Sequence, residues 1–332
     1  MIPFIKTTEF DWKIFGKHMA NCNGIYTNKG PNERALCALL EQIIGFPVAT
    51  CANATIALTQ LQRGLGAFKW VRPSFTFPAT NLGVSDFENT YLEPDFSGPT
   101  LGRCAQLSKK QAGLSQAQII TIPFGNLTTN LVKQCEIPTI VDAAACASPS
   151  MHIAREWLAN GAFAVVISLH ATKIWPAGGE GAFVAFNNRE DRDEFEKSVA
   201  FGIVIDAEGN RHCEDINATN GKLSEFGAAG AFASWENFGK EYARREETER
   251  EMVRLCEEFN IQHISSRQTF WIAPRRPWQV TQSAFASMGV ETRNYYWDTA
   301  VTPHSELCKR GLCLPMHNPE IVEIFKHIGG RL

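Results

Sequence analysis

A lysine follows a strongly apolar run in the stretch SLHATKIWPAGGEGAFVAF, which spans residues 168–186. The run AVVIS before it is typical of a buried strand, so Ser168 and Lys173 would lie at or just beyond the strand end. Partial desolvation lowers the pKa of a lysine amine, and the neutral amine is a nucleophile toward a carbonyl group. The pattern therefore indicates covalent chemistry at Lys173. The alternative is a lysine on the sheet rim that extends its ammonium into solvent.

An acidic residue ends a second apolar run, in the sequence TIVDAAA at residues 139–145. A carboxylate at the end of a buried strand needs a partner, because burying an unpaired charge is costly. Asp142 would pair with a cation on a ligand, such as a protonated ring nitrogen. The alternative is a structural helix cap.

Two further stretches carry groups that suit a ligand. The sequence NATIAL begins a helical pattern, and the N–H groups of a helix N-terminus attract an anion, with the Thr55 hydroxyl adding a bond. The alternative is an ordinary helix start capped by Asn53. Phe77, in PSFTFPAT at residues 73–80, could lie flat on a planar ligand, with a core aromatic side chain as the alternative.

One ligand, pyridoxal phosphate, fits these groups together. Thr55, Ser168 and the helix N-terminus would hold its phosphate, Phe77 its ring, Asp142 its ring nitrogen and Lys173 its aldehyde. Asp142 would keep the nitrogen protonated, so that the ring can accept electrons from a carbanion.

The elements that must position these residues have an α/β pattern. Helices are predicted at residues 30–45, where Pro31 suits the first position and Gly45 the stop, and at 54–66. Near-continuous apolar runs predict strands buried on both faces, at residues 117–125, 137–145, 162–170 and 181–187. We expect a mostly parallel central sheet with helices on both faces, and an active site at the carboxyl ends of its strands.

The pattern changes near residue 205. A polar, loop-like stretch at 206–222 precedes a long helical pattern at 224–259, and strands are predicted for TFWIAP and VETRNYYW before a terminal helix in NPEIVEIFKHIGG. These features predict a large ligand-binding domain over residues 1–205. They also predict a smaller C-terminal α/β domain over residues 206–332, joined to the first by the long helix.

Composition excludes several classes of function. The 332 residues are 44% hydrophobic with a formal net charge of −3, which offers no basic face for nucleic acid. The start of the chain shows no signal peptide, and no apolar stretch is long enough to span a membrane. Ten scattered cysteines without a CxxC pair indicate reduced thiols and a cytoplasmic protein, and no spacing suggests a metal site.

The chain resembles the DegT-type family of pyridoxal phosphate-dependent nucleotide-sugar aminotransferases, which has the aspartate-aminotransferase fold (fold type I). The resemblance runs from about residue 25 to the C-terminus, and the lysine segment with its glycine-rich turn is the most specific match. The segments that carry it are, in chain order, YTNKGPNERALCALLE, NATIAL, VRPSFTFPATNLGV, VDAAACA, SLHATKIWPAGGEGAFVAF, NGKLSEFGAAGA and GVETRNYYW.

The resemblance implies roles for the matching positions. Lys173 would hold the cofactor as a Schiff base and move the proton, Asp142 would bind the pyridine nitrogen, and Phe77 would stack on the ring. The phosphate would be bound by the Ala54 backbone, Thr55 and Ser168. Asn220 would reach the phosphate of a partner subunit, because the family's sites lie at a homodimer interface.

The implied reaction is ping-pong amino transfer. L-Glutamate would give its amino group to the cofactor, which would then aminate a keto group of a nucleotide-linked sugar, in amino-sugar and polysaccharide biosynthesis. His170, Arg293, Tyr295 and Tyr296 could line the sugar pocket, with structural roles as the alternative.

The chain also departs from the family pattern. Asn53 and Ala54 replace Ser-Gly in the phosphate loop, Ala145 replaces a Gln or His near the ring oxygen, and Lys222 replaces an Arg. These changes bear more on substrate identity than on cofactor binding. The rival interpretations are a sugar dehydratase, a keto-cyclitol aminotransferase, and a non-catalytic sensor or scaffold. Lys173 argues against the dehydratase, because that branch of the family has a histidine at the lysine position.

Overall fold

The computed structural model describes residues 1–82, 88–92, 116–127, 132, 134–215, 217–297 and 306–332. Within these residues a central sheet has seven strands in the order β1-β7-β6-β5-β4-β2-β3. The strands are β1 (Val48–Cys51), β2 (Lys69–Pro73), β3 (Glu88–Leu92), β4 (Ala117–Thr121), β5 (Thr139–Asp142), β6 (Ala164–Ser168) and β7 (Ala182–Phe186).

The central sheet is mostly parallel, as the sequence predicts. Strands β2, β3, β4, β5 and β6 pair in parallel, whereas β7 runs antiparallel to both β6 and β1. All residues of β4, β5, β6 and β7 are buried, which is why their sequences are continuously apolar rather than alternating. The lysine segment is the connection between β6 and β7.

Eight α-helices accompany the sheets in the described part of the chain. They are α1 (Trp12–Ala20), α2 (Pro31–Ile44), α3 (Ala54–Gly64), α4 (His152–Ala159), α5 (Arg189–Ser198), α6 (Glu225–Glu258), α7 (Trp278–Ser287) and α8 (Glu320–Ile328). Helix α2 begins at Pro31 and ends before Gly45, whose φ of 80° is left-handed, so both predicted boundaries are confirmed.

The helices cover both faces of the central sheet. Val165 and Ile167 of β6 pack into one core with α2, α4 and the first half of α6. Ala164 and Val166 point to the opposite face and pack with α3 and α5. The alternation follows from the pleat, which sends successive side chains to opposite faces. The expected α/β architecture is therefore confirmed.

A second, antiparallel sheet lies in the C-terminal part. It consists of β10 (Gln262–Ile264), β11 (Thr269–Ala273) and β12 (Leu312–Pro315), and it shares a core with α8 and the second half of α6. Helix α6 thus contributes to the cores of both sheets. The proposed domain boundary at residue 205 remains a prediction.

Two sequence expectations in this part need correction. The stretch VETRNYYW is not a strand: it makes only isolated bridges, at Val290 and Arg293, and its tyrosines pack beside a cavity instead. The polar stretch at 206–222 is not all loop, because β9 (Arg211–Cys213) pairs with β8 (Ile203–Ile205) in a hairpin. No helix in the described residues is both long and apolar enough to cross a membrane.

A buried carboxylate joins the starts of two helices. Glu225, the first residue of α6, is fully buried and accepts hydrogen bonds from the backbone N–H groups of Asn32 at 2.7 Å and Glu33 at 2.9 Å. These donors lie in the first turn of α2, where no intrahelical acceptor exists. Glu225 therefore satisfies the N-terminus of α2 and fixes it against α6.

We expect Glu225→Ala to lower the free energy of unfolding by about 1–3 kcal/mol, because two buried N–H groups lose their acceptor. Urea unfolding followed by circular dichroism measures the change. Glu236→Ala, on the exposed side of the same helix, is the control. Equal stability of the two variants would contradict this role for Glu225.

Candidate active site

A cavity of about 760 Å³ opens at the carboxyl ends of β4, β5 and β6, beside the N-terminus of α3. This volume is within the usual range for small-molecule sites, and the position is where open α/β sheets bind ligands. The candidate residues that line it are Ala54, Thr55, Phe77, Asp142, Ser168, His170, Lys173, Arg293, Tyr295 and Tyr296. The structure thus brings together all the sequence-predicted site residues except Asn220.

The loop after β6 holds Lys173 at the cavity. The Lys173 N–H donates to the His170 carbonyl at 2.8 Å, and the Ala171 N–H donates to the Gly179 carbonyl at 2.7 Å. The Lys173 side chain is partly accessible from the cavity, and its Nζ forms no hydrogen bond or ion pair with any described residue. Burial lowers the pKa of its amine, whereas the negative charge of Asp142 opposes that shift.

Asp142 ends β5 and is only 5% exposed. Thr80 Oγ1 donates to its Oδ2 at 2.6 Å, and the Ala144 N–H donates to its Oδ1 at 3.1 Å. Burial raises the pKa of the Asp142 carboxyl, whereas these two hydrogen bonds and the nearby Lys173 charge act in the opposite direction. Asp142 closes a turn and does not cap a helix, so the helix-cap alternative is wrong.

One end of the cavity has the groups that bind an anion. Asn53 is the N-cap of α3, and its side chain accepts a hydrogen bond from the Ile56 N–H at 2.9 Å. Ala54 and Thr55 lie in the first turn, whose N–H groups lack intrahelical acceptors. Ser168 lies at the end of β6, where its Oγ accepts from the His170 N–H at 3.2 Å. A helix N-terminus next to a hydroxyl suits a phosphate or carboxylate.

The two aromatic candidates differ in burial. Phe77 is 48% exposed and lines the cavity, so it is not a core side chain. Tyr296 is buried, stacks on Phe124 with ring centroids 4.7 Å apart, and its hydroxyl accepts from the Phe124 N–H at 3.3 Å. Phe77 therefore offers a ring face or edge to a ligand, whereas Tyr296 forms part of the wall.

Polar side chains lie at the opening of the cavity. His170 Nε2 is 3.5 Å from Glu180 Oε1, and both side chains are well exposed. The Arg293 guanidinium donates to Glu291 Oε1 at 3.0 Å and to the Tyr295 hydroxyl at 3.3 Å. These groups can donate hydrogen bonds to a polar ligand that enters the cavity, and can accept hydrogen bonds from it.

Asn220 lies on the protein surface outside this cavity. Its side-chain oxygen accepts a hydrogen bond from Lys222 Nζ at 2.6 Å. The Lys222 ammonium is also 4.1 Å from the centroid of the Phe201 ring. Within one chain, therefore, Asn220 cannot be part of the site that Lys173 and Asp142 line.

Sequence reasoning missed several residues of the site. Thr80 lies in the quoted PSFTFPAT stretch, but nothing in the sequence indicates that its hydroxyl bonds Asp142. Gln268 lines the cavity from the C-terminal part and hydrogen-bonds the lysine loop, and Phe4 and Ile5 line it from the N-terminal segment. These residues are far from the lysine segment in sequence, so only the fold reveals them.

The fold is that of the fold-type-I aminotransferases, as expected. The chain belongs to the DegT/DnrJ/EryC1/StrS aminotransferase family, whose model matches residues 126–318, more than half of its length. Among curated proteins it is similar to Protein Rv3402c of Mycobacterium tuberculosis (strain ATCC 25618 / H37Rv), with 31% identity over 225 residues. That match covers 61% of this chain and 52% of the relative, so the chain spans about half the length of the curated relatives it matches.

Solved structures match nearly the whole chain at low sequence identity. The aminotransferase TlmJ from Streptoalloteichus hindustanus has a TM-score of 0.79 and 18% identity, and the match covers 100% of this chain and 99% of TlmJ. DesI, solved in the presence of its TDP-sugar product, has a TM-score of 0.75 and 19% identity, with 98% of this chain and 92% of DesI covered. At this identity the likeness establishes the fold.

We expect Thr80→Val to raise the pKa of the Asp142 carboxyl, because the hydroxyl stabilises its ionised form. Carbon-13 NMR of labelled aspartate, titrated in the cofactor-free protein, measures this pKa. Thr80→Ser keeps the hydroxyl and should leave the titration close to that of the wild type. A Val variant that titrates like the wild type would show that the hydrogen bond does not tune Asp142.

Proposed function

We propose that the chain is a pyridoxal phosphate-dependent sugar aminotransferase. The observation that carries the proposal is a single cavity lined by both the buried Asp142 carboxyl and the Lys173 amine, at the carboxyl ends of neighbouring parallel strands. Membership of an aminotransferase family supports the reaction class.

The side chains present fit pyridoxal phosphate. Lys173 Nζ has no protein partner among the described residues, and burial lowers its pKa, as attack on an aldehyde requires. The Asp142 carboxyl can accept a hydrogen bond from a protonated pyridine nitrogen, and the positive charge of that ring would favour the ionised form of the carboxyl. The N-terminus of α3 with Thr55 and Ser168 suits the phosphate, and the exposed Phe77 ring suits the pyridine ring.

When bound, pyridoxal phosphate supplies a conjugated ring that draws electrons away from the carbon attached to the transferred nitrogen. Lys173 acts as the general acid and base, since Nζ can take up and return a proton within the cavity. Asp142 holds a proton on the ring nitrogen, and Thr80 keeps the carboxyl oriented through its hydrogen bond to Oδ2. Ser168 and the N-terminus of α3 bind the phosphate of the cofactor, and neither takes up or releases a proton.

The substrates we propose are L-glutamate as amino donor and a nucleotide-linked keto sugar as acceptor, used in ping-pong order in amino-sugar and polysaccharide biosynthesis. DesI, which is similar in fold, was solved with a TDP-sugar product, and this supports a nucleotide-sugar acceptor. His170, Arg293 and Tyr295 at the cavity opening are the candidates for sugar contacts, while Tyr296 shapes the wall.

A homodimer with shared sites belongs to the same proposal, as does a cytoplasmic location. In the hairpin of β8 and β9, strand β8 exposes two large apolar side chains, Ile203 and Ile205, and Phe201 just before it is exposed as well, which suits contact with another subunit. Asn220 follows this hairpin and is exposed, so its amide is available to a phosphate bound by a partner.

The proposal is tested first by the absorbance spectrum of the purified protein with pyridoxal phosphate, before and after L-glutamate is added. We expect a visible band that fades with glutamate as 2-oxoglutarate is released. A band that ignores glutamate would contradict the donor assignment. The absence of any band would contradict cofactor binding and favour the sensor or scaffold interpretation.

We expect Lys173→Ala to abolish turnover while the protein still folds, because the side chain supplies the reactive amine but little packing. Release of 2-oxoglutarate from L-glutamate and the thermal unfolding midpoint are both measured, with Lys240→Ala on the exposed face of α6 as the control. Full activity in the Lys173 variant would refute the mechanism.

Asp142→Asn should retain pyridoxal phosphate but slow amino transfer by about a hundredfold or more, because a charge that stabilises the reacting system is lost. Single-turnover kinetics with L-glutamate measure the step, and cofactor retention is measured by absorbance after gel filtration. Asp193→Asn, which changes an exposed carboxylate on α5, is the control. An unchanged rate in Asp142→Asn would mean that another group interacts with the ring nitrogen.

A further inference from the structure

The Gln268 side chain contacts the backbone on both sides of Lys173. Its Oε1 accepts a hydrogen bond from the Ile174 N–H at 2.8 Å, and its Nε2 donates to the Thr172 carbonyl at 2.8 Å. Gln268 comes from the turn before β11, in the C-terminal sheet, so this contact joins two distant parts of the chain at the reactive lysine.

A primary amide is suited to this position because it carries both a donor and an acceptor. The two bonds hold the backbone over residues 172–174 in the way that a neighbouring strand would. Lys173 Nζ has no hydrogen bond of its own among the described residues, so the direction of the amine depends on how its backbone is held.

The turn that carries Gln268 is itself fixed to the cavity wall. The buried Ser266 Oγ accepts from the Gln268 N–H at 3.0 Å and donates to the Phe124 carbonyl at 2.5 Å. Phe124 in turn stacks on Tyr296 and lines the cavity. Gln268 therefore does not act as a flexible surface side chain, because both its backbone and its amide have fixed partners.

We propose that Gln268 is a positioning residue for Lys173: it holds the lysine backbone so that Nζ projects into the cavity, and it links that position to the C-terminal sheet. The catalytic part of this inference rests on the proposed function, since it assigns Gln268 to the reaction of Lys173. A displacement of reacting groups by about 1 Å can lower a reaction rate about a hundredfold. The two bonds of Gln268 can therefore affect the rate far more than they affect the free energy of unfolding.

The test compares Gln268→Met, which keeps the length of the side chain but removes both bonds, with Gln268→Glu, which keeps the acceptor for the Ile174 N–H. Gln282→Met is the matched control, because it removes a 3.1 Å bond to the Thr292 carbonyl in the same part of the chain, and neither Gln282 nor Thr292 lines the cavity. Thr8 Oγ1 donates to the Ile174 carbonyl at 2.7 Å, and since none of these substitutions removes that bond, we expect the segment to stay attached in every variant.

Two measurements use the cofactor-free protein. Hydrogen–deuterium exchange at the Ile174 amide should accelerate at least about tenfold in Gln268→Met, but remain slow in Gln268→Glu and in Gln282→Met. The loss of one hydrogen bond worth about 1 kcal/mol raises the exchange rate about fivefold, and the loss of the second bond, to the Thr172 carbonyl, raises it further. Acetylation of Lys173 by N-acetoxysuccinimide, followed by peptide mass spectrometry, should also accelerate in Gln268→Met as the amine gains freedom.

Two further measurements use pyridoxal phosphate and L-glutamate. The rate at which the chain captures added pyridoxal phosphate should fall about tenfold to a hundredfold in Gln268→Met. The maximal single-turnover rate with L-glutamate should also fall, with little change in the glutamate concentration that gives half of that rate. Gln268→Glu should recover part of both losses. All variants should keep the wild-type unfolding midpoint within a few degrees, since a purely structural role would lower stability and the single-turnover rate together.

The outcomes separate the two proposals. If wild-type protein captures no pyridoxal phosphate, the proposed function fails, while exchange at Ile174 and acetylation of Lys173 still decide whether Gln268 positions the lysine. If wild-type protein captures it normally and Gln268→Met matches Gln282→Met in exchange, capture and single-turnover rate, the positioning role of Gln268 is refuted and the proposed function stands.

Discussion

The desolvation of two opposite charges in one cavity is the constraint on which the rest of the structure depends. The Asp142 carboxyl and the Lys173 amine each favour their neutral forms because they are buried, and each moderates the other through its charge. Such groups are costly to retain, since a charged group that is largely removed from water loses hydration, and apolar residues of similar volume avoid this cost. Their presence on one cavity argues for chemistry more strongly than either residue does alone.

The sheet brings the two groups together through its strand order. Strands β5 and β6 are parallel neighbours, so Asp142 and the loop that follows Ser168 emerge at the same edge. The Ser168 N–H donates to the Ala144 carbonyl at 3.3 Å, which ties the two strand ends directly. The antiparallel strand β7 then returns the chain after the lysine loop, so both ends of that loop are anchored in the sheet. A loop that is held at both ends by paired strands suits a side chain that must point in one direction.

The sequence predicts the parts of this arrangement that depend on local composition. Strands β4 to β7 and helix α2 are recognised because residues buried on both faces, or on one helical stripe, leave a visible apolar pattern. Lys173 and Asp142 are found because each stands next to such a strand. Thr80 and Gln268 are not found, because their bonds to Asp142 and to the lysine loop arise from tertiary approach. The stretch VETRNYYW misleads for a related reason: its aromatic residues reflect packing of Tyr296 on Phe124, not strand pairing.

The departures from the family pattern acquire a physical meaning in this setting. Ala145 lines the cavity, and a Cβ added at Gly125 would lie 2.1 Å from the Ala145 carbonyl oxygen, so the backbone of the two residues is closely packed. The neighbouring wall is aromatic, built from Phe124 and Tyr296. The position at which the family resemblance implies a polar side chain is therefore apolar here, whereas Asp142, Lys173 and the start of α3 keep the groups that would suit the cofactor. This contrast favours a change of substrate over the loss of activity that a sensor or scaffold would require.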